Sequence, residues 1–125
     1  MIPIHKLAKL PAGQRRRKLA LILAGLERAR VDSRGGSFDL SYALGVVSLA
    51  LEDPKLDGPA RAEIARLKAD AERGGDSGSV ASLRLCNVAR NALLAATGAL
   101  PAEWDLIVPG AIPARASVSA ATHAA

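Results

Sequence analysis

The sequence predicts an all-α protein: a bundle of about four main helices with a short C-terminal turn and a disordered tail. Three observations lead there. Ala, Leu and Val dominate the apolar half of the chain, and only Phe38, Tyr42 and Trp104 are aromatic. Ala and Leu form helices readily, whereas strands draw on β-branched and aromatic residues. Apolar residues also recur at helical spacing in four separate stretches, with Pro- and Gly-containing segments between them. A chain of 125 residues suits one domain with a modest core. The expected division is a helical domain over 1–108 and a flexible tail or linker over 109–125.

The first ten residues place Ile4, Leu7 and Leu10 three apart, enough for a helical turn or two. Pro11 fits a helix start, because its missing N–H is one the first turn leaves unused. A helix to about residue 30 follows, with Leu19, Ile22, Leu23, Leu26 and Ala29 on one face. Leu21 lies off that stripe and predicts contacts on a second side.

Residues 31–37, with Gly35 and Gly36, read as a loop. Ser37 is a suitable N-cap for the next helix, and Asp39 suits its first turn. Residues 38–53 are apolar over most of the helical circumference, the pattern of a central helix. Asp53 ends it, since a residue before proline avoids the helical region. Pro59 starts the next helix, whose narrow seam of Ala60, Ile64, Leu67 and Ala71 predicts an outer element. Arg66 with Asp70 and Lys68 with Glu72 pair at i, i+4 on its outside, each pair contributing about 0.3 kcal/mol.

Residues 74–79 read as a second loop. The last main helix spans 80–97 and ends at Gly98, where helices favour a left-handed residue. Leu85, Val88, Ala89, Ala92, Leu93 and Ala96 form its expected buried side, with Cys86 at the edge. Arg84, Asn87, Arg90 and Asn91 form its expected polar side. Residues 101–106 make one further turn, with Trp104 folding back as a lid.

Charge is unevenly spread. Residues 1–30 hold eight cations against Glu27, while the remaining 95 hold nine cations against eleven anions. All the excess basicity is therefore at the front, where a concentrated field attracts polyanions. The candidate RNA-binding residues are Lys6, Lys9, Arg15, Arg16, Arg17 and Lys18, extended by Arg84 and Arg90. Guanidinium groups match phosphate oxygens bidentately, and such contacts position nucleic acid without reading sequence.

Other chemistry is not indicated. No Cys/His/Asp/Glu cluster has metal-ligand spacing, and no Gly-rich frame cradles phosphates. No serine has an acid–base partner that the sequence nominates, so no catalytic, cofactor-binding or metal residue is expected. The lone Cys86 predicts a reducing, cytoplasmic setting. Apolar runs of eight or nine residues fall far short of the roughly 20 that span a bilayer, so a soluble protein with no membrane partner is expected.

Four strings resemble a known family: Gln14-Arg15-Arg16-Arg17-Lys18-Leu19, Phe38-Asp39-Leu40-Ser41-Tyr42, Leu85-Cys86-Asn87-Val88-Ala89-Arg90-Asn91-Ala92-Leu93-Leu94 and Pro101-Ala102-Glu103-Trp104-Asp105-Leu106. Together, over residues 4–108, they look like the helical N-terminal extension of SpoU-type (TrmH-like) RNA 2′-O-ribose methyltransferases. That likeness implies a part that helps to hold tRNA or rRNA, while a separate knotted domain binds S-adenosylmethionine and methylates ribose. The family's catalytic Asn-x-Gly…Arg and Ser-x-Asn…Asn patterns have no counterpart here, so no catalytic or cofactor residue carries over. The rival expectation is a protein–protein interaction module that dimerises or docks on an acidic partner, suggested by Leu21 and Leu49 off the main stripes.

Overall fold

The computed structural model describes residues 2–33, 40–74 and 80–107. Among them the elements are α1 (Ile4–Ala8), α2 (Ala12–Ser33), α3 (Leu40–Leu51), α4 (Gly58–Gly74) and α5 (Val80–Ala96). A 3-10 turn (Pro101–Glu103) then leads into the short α6 (Trp104–Ile107). The protein is an all-α bundle, as composition and spacing predict. The Gly35-Gly36 loop, the Ser37 cap and the tail over 109–125 lie outside the described residues, as does most of the loop over 74–79.

The core is assembled largely from the predicted stripes, but on α5 Val88, Ala92 and Ala96 are only half-buried while Ser82 and Leu94 are fully buried. Leu19, Leu23 and Leu26 of α2, Ile64, Leu67 and Ala71 of α4, and Leu85, Ala89 and Leu93 of α5 are all buried. Helix α3 packs on α1, α2, α4 and α5, as expected of a central helix, but the most extensive packing is between α2 and α5. The reason lies in side-chain size. Ser82, Cys86 and Ala89 are fully buried at helical spacing on α5, and small side chains bring neighbouring backbones close. Cys86 is thus in the core, not at its edge. Leu49 is also buried, which leaves Leu21 as the exposed off-stripe leucine of the expected pair.

The ends of the elements are held by side chains. Arg15 Nη1 donates to the carbonyls of Ala8 and Leu10, both at 3.1 Å, closing the exit of α1. Tyr42 Oη donates to the Ile2 carbonyl at 2.6 Å and fastens the segment before α1 to α3. Gly45 lets α1 lie close: a Cβ there would stand 3.0 Å from Ile4 Cδ1. Trp104 closes the far end as predicted, buried, with Nε1 donating to the Ala99 carbonyl at 3.2 Å. Gly98 has φ +88°, the left-handed conformation expected after α5.

Candidate nucleic-acid interface

Helical geometry sorts the four consecutive cations at the start of α2. Successive residues turn by about 100°, so four neighbours point around the whole circumference. Arg16 lies three, four and seven residues before Leu19, Ala20 and Leu23, all buried. It therefore faces the core. Arg17 and Lys18 fall with Gln14 and Leu21 on the opposite side, and Arg15 faces α1.

The core meets Arg16 with a carboxylate. Its Nε donates to Asp53 Oδ2 at 2.6 Å and its Nη2 to Asp53 Oδ1 at 2.8 Å, a bidentate pair with both residues buried. Asp53 Oδ1 also accepts the Lys55 amide at 2.9 Å. Burial pushes the Asp53 carboxyl up, but the Arg16 and Lys55 hydrogen bonds outweigh it and hold the group below its ordinary value. Arg16 is held above its ordinary value chiefly by the same bond. Arg61 adds hydrogen bonds to the carbonyls of Leu51, Asp53 (2.7 Å) and Leu56 (3.2 Å), which satisfies the exit of α3.

Arg90 departs from the sequence reading in the same way. It is buried, and its Nη1 donates to Glu27 Oε1 at 2.5 Å, while Asn87 Nδ2 donates to Glu27 Oε2 at 3.2 Å. Arg16 and Arg90 are accordingly framework residues and do not line an outer surface. Each shares a helix face with core residues, and that placement was the available signal. An arginine on such a face requires a buried partner, and the partners are Asp53 and Glu27. Arg84 is exposed and lies 3.7 Å from Glu63.

The rest of the cationic set is different. Lys6, Lys9 and Arg17 are exposed, and Arg15 and Lys18 are half-buried. Among the described residues no carboxylate lies within ion-pair distance of any of the five. Arg15 is held by its carbonyl acceptors, and its charge adds a small downward pull on the Asp53 carboxyl. By contrast, three of the four cations of α4 are compensated within it: Arg66 pairs with Glu63 (2.9 Å) and Asp70 (3.3 Å), Lys68 with Glu72 (2.9 Å), and Arg73 with Asp70. No protein-family model, curated protein or solved structure matches the chain.

Beside the free cations lies a shallow groove of about 380 Å³ between α2 and α6, lined by Gln14, Arg17, Lys18, Leu21, Leu106 and Ile107. A second depression shares Arg17, Leu106 and Ile107 with it and extends over Thr97, Gly98, Ala99 and Glu103. Leu106 is 84% exposed and Leu21 41%. Sequence reasoning placed Leu21 off the stripe but gave no reason to bring Leu106 beside it.

The Cys86 thiol is pushed up to about 12, mainly by burial and then by the charge of Glu27, against a smaller opposite effect of Arg90. A thiol held there stays protonated and is no nucleophile. Among the described residues no group of three or more His, Cys, Asp or Glu side chains is placed to hold a metal, and no helix is long and apolar enough to cross a membrane.

Proposed function

We propose that this protein is a non-catalytic RNA-binding module that holds the phosphate backbone of tRNA or rRNA through Lys6, Lys9, Arg15, Arg17 and Lys18. The observation that carries the reading is the pattern of neutralisation. Arg66, Lys68 and Arg73 of α4 and Arg84 and Arg90 of α5 have carboxylate partners within 4 Å, and Arg61 of α4 is held by backbone carbonyls, whereas these five have no carboxylate at that distance among the described residues. Positive charge on Lys6 and Lys9 and on Arg15, Arg17 and Lys18 of α2 thus lacks a carboxylate at ion-pair distance, and such charge attracts a polyanion. Arg16 supports the site indirectly by anchoring the helix that presents its neighbours.

The likeness of residues 4–108 to the extension of SpoU-type methyltransferases makes RNA the preferred polyanion. On this reading the module works in the cytoplasm and delivers RNA to a methyltransferase domain. The rival, a protein-docking module, draws on the exposed Leu21 and Leu106.

The test is a fluorescence-anisotropy titration of tRNA at two salt concentrations, with wild-type protein and a Lys6→Ala/Lys9→Ala/Arg17→Ala/Lys18→Ala variant. Binding should weaken steeply with salt and be lost in the variant. Salt-insensitive binding, or binding that survives the four substitutions, rejects the proposal. Arg16 must be left intact, because its removal would confuse unfolding with loss of contact.

A further inference from the structure

The groove between α2 and α6 combines two properties that a phosphate-binding surface alone does not need. Its base offers aliphatic carbon from Leu21, Leu106 and Ile107, and its wall offers Gln14, Arg17 and Lys18. Gln14, Arg17, Lys18 and Leu21 stand at i, i+3, i+4 and i+7 on one face of α2, so a rigid helix presents them together. A paired RNA helix would leave this combination unused. It presents phosphates and 2′-hydroxyls across a shallow minor groove, and its base faces are stacked away. An unpaired nucleotide differs: it carries a planar apolar face and an anionic phosphate within one residue. Splayed bases of loops and bulges are stacked on aromatic side chains or on arginine planes, with their edges hydrogen-bonded; this groove has no aromatic side chain, and Arg17 supplies the plane.

We infer that this groove receives an unpaired nucleotide of the bound RNA, so that the module prefers loops or bulges to continuous duplex. The inference rests on the RNA-binding reading and names the part of the RNA that the site takes. The base lies over Leu21, Leu106 and Ile107, the Arg17 guanidinium covers it, and Lys18 meets the adjoining phosphate. The Gln14 amide supplies one donor and one acceptor group for the base edge. Charge complementarity selects this occupant: the groove lined by those residues contains two cations and no carboxylate.

The test compares a stem–loop RNA carrying 2-aminopurine in its loop with a blunt, fully paired duplex of equal length. Wild-type protein should bind the stem–loop about threefold more tightly at the same salt concentration, as one exposed guanidinium–ring contact allows, and the 2-aminopurine emission should change on binding. A Leu21→Ser/Leu106→Ser variant alters only exposed side chains. It should lose the preference and the emission change while keeping its affinity for the duplex. Equal binding of the two RNAs, or a Leu21→Ser/Leu106→Ser variant that keeps the preference, overturns this inference and leaves backbone binding standing. Absence of binding to either RNA overturns the RNA reading itself and this inference with it. An acidic amphipathic peptide that binds in a Leu106-dependent manner, with RNA affinity indifferent to Leu106, assigns the groove to a protein and also overturns it.

Discussion

Replacing the buried Asp53 with alanine should destabilise the bundle far more than losing a carboxylate from an exposed ion pair, such as Asp70. The substitution leaves the Arg16 guanidinium 7% exposed with both of its carboxylate bonds removed. Removing one member of a buried pair costs about 3–5 kcal/mol, because the remaining charge is stranded in a poorly solvated place. Against a total of about 5–15 kcal/mol for a domain, that is a large fraction. At about 4 °C per kcal/mol for a domain of this size, the midpoint should fall by on the order of 12 °C or more. Asp70→Ala is the control, since its pairs with Arg66 and Arg73 are exposed and should cost about 0–1 kcal/mol. Urea unfolding followed by far-ultraviolet circular dichroism measures both. The Arg16→Met/Asp53→Leu double variant, which strands no charge, should recover most of the loss. The pH dependence has a definite sign. Asp53 has a lowered folded-state value, so its stabilisation is present above the unfolded carboxyl value of about 3.9 and is lost as pH falls through the folded value. The gap between wild type and Asp53→Ala should therefore be constant at neutral pH and narrow only in acid. A cost for Asp53→Ala no greater than that for Asp70→Ala would refute the assignment of Arg16 to the framework.

Two further outcomes follow from the packing. Native protein should resist iodoacetamide at Cys86, which is fully buried with its thiol held near 12, and should become reactive only when unfolded; rapid alkylation of the native form, read by mass spectrometry, contradicts the core assignment. Gly45→Leu should push Ile4 away and release α1, because even a Cβ there meets Ile4 at 3.0 Å. Amide exchange over residues 4–8 should then quicken while α5 stays protected, and unchanged exchange in α1 contradicts its docking on α3.

The fold was readable because period and punctuation agree along most of the chain. The seam of Ile64, Leu67 and Ala71 and the lid role of Trp104 appear in the structure as their spacing implies. The candidate site was only half readable. A run such as Arg15 to Lys18 announces charge, but which members point outward depends on the phase of the helix against its neighbours. Arg16 and Arg90 each sit on the apolar face of their helix, so the phase was present in the sequence; their partners Asp53 and Glu27 are 37 and 63 residues away and no local pattern connects them. The closeness of α2 to α5 was hidden for a related reason. Hydrophobic circumference measures how much a helix wants to bury, whereas small residues such as Ser82, Cys86 and Ala89 decide how closely it is approached. The groove joins Leu21 to Leu106 through tertiary packing alone.

The most direct measurement is the slope of log affinity for tRNA against log salt concentration in charge-matched variants. Arg17→Ala/Lys18→Ala and Arg66→Ala/Arg73→Ala each remove two positive charges. Each phosphate contact contributes about 0.7–0.9 to the slope. The Arg17/Lys18 variant should therefore bind with a slope shallower by about 1.5, and the Arg66/Arg73 variant should keep the wild-type slope. Equal flattening in the two variants would mean that net charge alone drives binding, and would contradict an interface built from Lys6, Lys9, Arg15, Arg17 and Lys18.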